Sequence, residues 1–228
     1  MEPINQIFTI SLFFLPIVLT CLSELLFKSY LKEVEPIESG HWSRISGVVL
    51  MIIGIIIFTH TGLISFSTII AGFSWNSQII PAVLLSVILS TLAGLYISKK
   101  VRSVQIAKGI MFPFHRRWEY LAVWILYLFF YEIYFRQFLF PYAEWGLLTA
   151  LIFNLVLYSL AHVHKGVQQA FACIPFGVLL CLVTLFTHNL WASFLGHFAL
   201  AFSDQFIGPK YFQFKWKISI IQLLNSKS

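Results

Sequence analysis

The run "ISGVVLMIIGIIIFTHTGLISFSTIIAGFSWNSQIIPAVLLSVILSTLAGLYIS", residues 45–98, contains no Asp, Glu, Lys or Arg. About 20 such residues in a helix cross the hydrocarbon core of a bilayer, so this run is long enough for two spans. Three further uncharged runs cover residues 3–23, 145–164 and 166–203, and the last of these also has room for two spans.

The composition of the whole chain agrees with a membrane protein. Hydrophobic residues make up 59% of it and charged residues 11%, and the mean hydropathy is +0.84. A soluble globular surface needs more polar groups than this. Lipid offers no partner for open backbone groups, and the sequence lacks the alternation of a barrel, so the spans are helices. We predict an all-α, polytopic transmembrane helix bundle of about seven spans, forming a single integral membrane domain over residues 1–228.

The predicted spans are separated by charged loops and by two polar interruptions, "SFSTIIAGFSWNSQ" and "THN". They cover residues 7–27, 45–66, 79–98, 118–140, 147–163, 169–187 and 190–207.

The net charge of +6 is explained by loop placement rather than by nucleic acid. Fourteen of the fifteen Lys and Arg residues fall on one side of the predicted spans, which the positive-inside rule assigns to the cytoplasm. We therefore expect membrane lipid as a partner, no nucleic acid, and a cytoplasmic C-terminus. The single exception is Arg136, inside the fourth predicted span.

Arg136 lies four residues after Glu132 in "FFYEIYFRQFLF", residues 129–140. This spacing puts the acid and the base on one helical face, where they can pair. Ionisable groups inside a span are costly and usually face protein or a wet cavity, so they often mark function. The alternative is an ion pair that only holds the fourth span against a neighbour.

Two more spans carry polar stripes. "NLVLYSLAH" places Asn154, Tyr158 and His162 at steps of four on the fifth span. "SFLGHFALAFSD" places Ser193, His197 and Asp204 on or near one face of the seventh. Stripes that avoid lipid face one another, and a Glu with two His indicates water activation, by the carboxylate or through a metal. We expect His60 to be a packing residue of the second span.

The cysteines and the remaining histidines give weaker signals. Cys21, Cys173 and Cys181 lie inside predicted spans without a metal-binding spacing, and we expect them to be buried small side chains. We predict no cofactor, with a metal site as an alternative. Its candidate ligands are His162, His164, His188 and His197, although His162 and His164 would face opposite ways on a helix.

Residues 118–205 resemble the CPBP family of CAAX-processing and bacteriocin-processing intramembrane proteases, also called the Abi family. The family motif EExxxR stands here as Tyr131-Glu132 followed by Arg136, the motif FxxxH as Tyr158 to His162, and the late-helix His as His197. Details such as "HVHKG" resemble a bacterial branch, which implies a bacterial inner membrane.

The resemblance implies an endopeptidase that cleaves a membrane-anchored or membrane-adjacent peptide, in which a glutamate activates water and His and Asn groups stabilise the oxyanion. Three positions depart from the family, since Tyr131 replaces the first Glu, Gln137 a Gly and Ala201 the Asn. Glu132 cannot simply occupy the place of the missing carboxylate, because adjacent helix positions point about 100° apart. The alternative is a catalytically inactive scaffold with the protease fold.

We therefore predict Glu132, His162 and His197 as catalytic residues. The predicted supporting residues are Arg136, Tyr131, Tyr158, Asn154 and Asp204. Counting residues from a turn near 141–146 predicts a depth mismatch of roughly 10 Å between Glu132 and His162. Helix tilt, or a longer turn running to about Leu148, would absorb it. Otherwise the charge-derived orientation of these two spans is wrong or the two groups do not meet.

Overall fold

All regular elements in the described part of the chain are helices, which confirms the all-α prediction. The computed structural model describes residues 15, 18, 19, 21, 22, 36–62, 65–75, 77–107, 117–137, 146–163 and 167–208. The helices are α1 (Pro36–His60), α2 (Phe66–Ala71), α3 (Ile80–Ala107, preceded by the 3-10 turn Ser77–Ile79), α4 (Arg117–Gln137), α5 (Leu147–Leu160), α6 (Val167–Thr187) and α7 (Leu190–Phe202, followed by the π-helical turn Ser203–Ile207).

The protein is an integral membrane protein. Three segments are long and apolar enough to cross a bilayer, namely His41–His60, Ser77–Lys99 and Ala170–Thr187. Two shorter apolar helices, α5 and α7, lie beside them. The first predicted span, 7–27, falls mostly outside the described residues, and the total of seven spans stays a prediction.

The structure corrects several predicted boundaries. The second span, predicted at 45–66, is α1, which begins at Pro36 and ends at His60. The predicted interruption after it contains the short helix α2, whose N-cap Ser65 accepts a hydrogen bond from the Thr68 amide at 3.0 Å. The fifth span, predicted to reach residue 163, ends as a helix at Leu160. The boundaries were predicted from the absence of charged residues. An uncharged residue tolerates lipid, but its backbone does not have to be helical.

The break at "THN" is confirmed. Helix α6 ends at Thr187 and His188 adopts a positive φ of 49°. Asn189 then caps α7, accepting a hydrogen bond from the Trp191 amide at 2.8 Å. This tight corner makes α6 and α7 neighbours and fixes where α7 starts.

Helix α7 lies at the centre of the described bundle, because it packs against α3, α4 and α6. Buried side chains of α7 join three separate clusters, through Leu190, Ala192 and the pair Phe194 and Ala201. The first of these clusters also joins α1, α2, α4, α5 and α6. A polar residue on α7 is therefore enclosed by protein rather than by lipid.

Helices α3 and α7 run side by side in the same direction along a seam of small residues. At each of three levels, a glycine of one helix faces a serine of the other, and a Cβ added at that glycine would lie under 3.0 Å from the serine hydroxyl. The pairs are Ser86 with Gly196, Gly94 with Ser203, and Ser98 with Gly208. The Ser86 hydroxyl also donates to the Ala192 carbonyl at 3.0 Å. Such seams let helix backbones approach closely where lipid provides no hydrophobic drive for association.

We predict that Gly94→Ala destabilises the protein. A Cβ there would also collide with the Leu200 carbonyl, which is backbone and cannot rotate away. Overpacking of this kind costs about 1–3 kcal/mol, whereas helix propensity alone predicts a gain of about 1 kcal/mol. The thermal unfolding midpoint in detergent should fall. The control is Leu92→Phe, which enlarges an exposed side chain of the same helix; a higher midpoint for Gly94→Ala would contradict the seam.

Candidate active site

The predicted ion pair on α4 forms and is completely buried. The Arg136 Nε donates to the Glu132 Oε2 at 2.9 Å, and both side chains are 0% exposed. The pair uses the i,i+4 spacing of the helix, so a single element positions both charges. A charge in this environment needs a partner, because the desolvation penalty of a bare buried ion is several kcal/mol.

The second carboxylate oxygen of Glu132 binds α7. The His197 Nδ1 lies 2.6 Å from the Glu132 Oε1. An ionised carboxylate can only accept, so Nδ1 carries the proton and a neutral ring has its lone pair on Nε2. This Nε2 has no hydrogen-bond partner among the described residues. About 10% of the His197 side chain is exposed, whereas none of Glu132 is.

Arg136 also joins α4 to α5 and α6. Its Nη1 donates to the Asn154 Oδ1 at 2.7 Å and to the Cys181 Sγ at 3.0 Å. The Cys181 thiol in turn donates to the Asn154 Oδ1 at 3.1 Å, and the Asn154 amide donates to the Phe135 carbonyl. The guanidinium carbon lies 5.2 Å from the centre of the Tyr158 ring, a cation–π distance.

Cys181 is the residue of this cluster that the sequence analysis missed. Cys173 and Cys21 are half-buried, while Cys181 is fully buried and hydrogen-bonded in the charged cluster. A lone cysteine in an apolar helix looks like a small hydrophobic side chain. Nothing in the sequence around Cys181 indicates that its neighbours in the structure are polar.

His162 reaches the same region from the turn after α5. Helix α5 ends at Leu160, and the His162 Nδ1 donates to the Tyr158 carbonyl at 2.8 Å, which satisfies a carbonyl left open at the helix end. The His162 ring lies 6.3 Å from the Tyr131 ring between centroids. The depth mismatch expected from residue counting is therefore absorbed, and helices α4 and α5 bring these residues together.

Tyr131 stands between the two histidines. Its ring is edge-on to both, with centroids 6.3 Å from His162 and 5.6 Å from His197. Tyr158 is a further neighbour at 5.9 Å. Tyr131 is 4% exposed, and its hydroxyl is buried without a hydrogen-bond partner among the described residues.

Three other predicted positions lie away from these contacts, and a fourth is not among the described residues. Asp204 lies seven residues beyond His197, about 10 Å along the helix, in the π-helical turn whose backbone packs against Gly94. His60 is exposed at the end of α1, so the prediction of a packing residue is wrong. His188 is exposed in the corner before α7, and His164 lies outside the described residues.

Ser193 and Gln137 are buried next to the site. The Ser193 hydroxyl donates to the Leu190 carbonyl at 3.1 Å within α7. The Gln137 amide donates to the Thr68 carbonyl at 3.4 Å and so connects α4 with α2. Within the described ranges, no three His, Cys, Asp or Glu side chains form a group that could hold a metal ion.

The fold and these contacts define a class of protein: a helical membrane protein with a buried, charge-paired cluster of Glu132, Arg136 and His197. Residues 113–203 match the model of a family described as type II CAAX prenyl endopeptidase Rce1-like. This match confirms the predicted resemblance to CAAX-processing proteases, and it covers α4 to α7 with nearly all the predicted site residues. No curated protein and no solved structure matched the chain.

We predict that Arg136→Gln destabilises the protein by about 3–5 kcal/mol, because Glu132 stays buried without its cation. The double variant Glu132→Gln, Arg136→Gln should recover most of this loss, since it removes both charges. Thermal unfolding in detergent measures each variant.

Lys99→Gln is the control for this series, since it removes an exposed positive charge from α3. We expect it to change stability by less than about 0.5 kcal/mol. An unchanged midpoint for Arg136→Gln would show that Arg136 does not hold α4, α5 and α6 together.

Proposed function

We propose that this protein is an intramembrane endopeptidase that hydrolyses a peptide bond of a membrane-anchored or membrane-adjacent substrate, with water activated by Glu132 and His197. The observation that carries the proposal is the 2.6 Å bond between the Glu132 Oε1 and the His197 Nδ1. The family match over residues 113–203 supports a CAAX-type protease.

In this proposal Glu132 acts through His197 rather than directly on water. Both Glu132 oxygens are already hydrogen-bonded, and the side chain is fully buried. His197 retains some exposure and the lone pair on Nε2. A carboxylate bonded to Nδ1 orients an imidazole and stabilises the imidazolium that forms when Nε2 takes a proton from water. Glu132 is then a positioning residue and His197 the general base.

His162 supports the reaction as the second imidazole of the site. Its Nδ1 is held by the Tyr158 carbonyl, which fixes the tautomer and the ring orientation. Asn154 and Cys181 support the site indirectly, because they hold the Arg136 guanidinium that neutralises Glu132.

The substrate to test first follows from the description of the matched family. It is a farnesylated peptide that ends in the Cys-aliphatic-aliphatic-X pattern, presented to the purified protein in lipid vesicles. Comparing its cleavage with that of the same peptide without the farnesyl group shows whether a lipid anchor is required. An anchored substrate suits a site held by helices that lie among apolar spans.

We predict that His197→Ala lowers the rate of hydrolysis by about 10²–10⁴-fold, the usual contribution of a general base. The fold should persist, because Glu132 keeps Arg136 as its partner. The matched control is His60→Ala, which removes an exposed histidine far along the chain and should keep full activity. Equal rates for His197→Ala and the unmodified protein would contradict the proposal.

A second candidate function is a protease-fold scaffold that binds a membrane partner without cleaving it. Tyr131 and Ala201, where the resemblance expects Glu and Asn, favour this reading. The scaffold requires that His197→Ala leave the biological activity intact, whereas the peptidase requires its loss. The two functions are thus separated by one variant.

We also propose a bacterial inner-membrane location, on the basis of the resemblance to a bacterial branch of the family. The positive-inside distribution of Lys and Arg supports a cytoplasmic C-terminus. A C-terminal alkaline phosphatase fusion, which is active only outside the cytoplasm, should be inactive, while a fluorescent protein fusion should fold and fluoresce. An active phosphatase fusion would reverse the proposed orientation.

A further inference from the structure

The Tyr131 hydroxyl is the donor in the site whose hydrogen bond is unaccounted for. It is buried on α4 and bonds no described residue. Burying a hydroxyl without a partner is unfavourable, since its bonds to water are lost and not replaced. A native structure that keeps such a group usually uses it for something that binds there.

The two histidine donors around Tyr131 are engaged. The Nδ1 of His197 is bonded to Glu132 and the Nδ1 of His162 to the Tyr158 carbonyl. Arg136 has one further unpartnered atom, Nη2, but its guanidinium lies over the Tyr158 ring, which provides a cation–π contact. Gln137 contributes an unpartnered acceptor, not a donor.

The ring contacts place Tyr131 where the reaction would occur. Both imidazole rings are roughly perpendicular to the Tyr131 ring, at centroid distances of 5.6 Å for His197 and 6.3 Å for His162. A substrate carbonyl that is attacked by water at the His197 Nε2 would therefore lie next to the phenol of Tyr131. Peptide hydrolysis needs a donor at this point, because negative charge develops on the carbonyl oxygen.

We propose that Tyr131 is a catalytic residue whose hydroxyl donates a hydrogen bond to the scissile carbonyl oxygen as it becomes the oxyanion. This inference rests on the proposed peptidase function. Water attacks the carbonyl carbon, the C=O π electrons move to the oxygen facing Tyr131, and the water proton passes to the His197 Nε2. The C–N bond then breaks, the oxyanion reforms the carbonyl, and the proton on Nε2 passes to the leaving amine.

The test is Tyr131→Phe, assayed with the farnesylated peptide in vesicles. The ring contacts remain and only the donor is lost. We expect kcat to fall about 10²–10³-fold, the effect of removing one oxyanion donor, with little change in KM, since the bond strengthens only in the transition state. The thermal unfolding midpoint should stay equal or rise, because the hydroxyl has no partner within the described protein.

Tyr134→Phe is the matched control, since Tyr134 is a buried tyrosine of the same helix whose ring lies 5.9 Å from that of Phe58 on α1. It should keep the kcat of the unmodified protein. A normal kcat for Tyr131→Phe, in a protein that His197→Ala inactivates, overturns the inference and leaves the peptidase standing. A fall of activity together with a lower unfolding midpoint assigns Tyr131 a structural role and overturns it too. If the unmodified protein cleaves neither peptide, the peptidase proposal fails and this inference fails with it.

Discussion

The rest of the site depends on the requirement that the buried charge of Arg136 be neutralised inside the bundle. A guanidinium with no exposed surface is tolerable only beside an anion and several acceptors. The structure meets this requirement with Glu132 on the same helix, Asn154 on α5 and Cys181 on α6. Because these partners come from three helices, satisfying one charge also fixes how α4, α5 and α6 approach one another.

The central position of α7 depends on a different kind of contact. Glycine and serine residues along α3 and α7 allow the two backbones to approach closely, and a single added methyl group at Gly94 would meet backbone atoms. Lipid does not drive helices together by hydrophobic burial, so close packing must do so. This packing carries His197 into the bundle, where its Nδ1 meets the Glu132 carboxylate. The seam thus positions the histidine through the backbone, because the seam residue Gly196 directly precedes it in the chain.

The sequence predicted the polar part of the site better than the ends of the helices. Uncharged runs located the spans, and the stripe of Asn154, Tyr158 and His162 predicted a shared polar region because a polar group every fourth residue must avoid lipid. The predicted end of α5 was wrong because His162 continues the polar pattern, although the helix ends at Leu160. Helix α2 was missed because its Ser and Thr residues are typical of a loop, and nothing local shows that Gln137 will bind it.

The contacts of Cys181 and the seam between α3 and α7 were not predicted from the sequence, for the same reason. In an apolar helix, small residues such as Cys, Ser and Gly do not stand out from their neighbours in the sequence. Their roles become clear only when the position of the partner helix is known. The role of Glu132 is a similar case. As a helical neighbour of Tyr131, it points elsewhere by about 100°, so the carboxylate faces Arg136 and the His197 Nδ1 while the phenol ring faces both imidazoles. Replacing a carboxylate by a phenol at 131 exchanges a group that accepts protons for one that donates a hydrogen bond. In the proposed hydrolysis, His197 then supplies the base, and the phenol supplies the donor that a reaction at the His197 Nε2 requires.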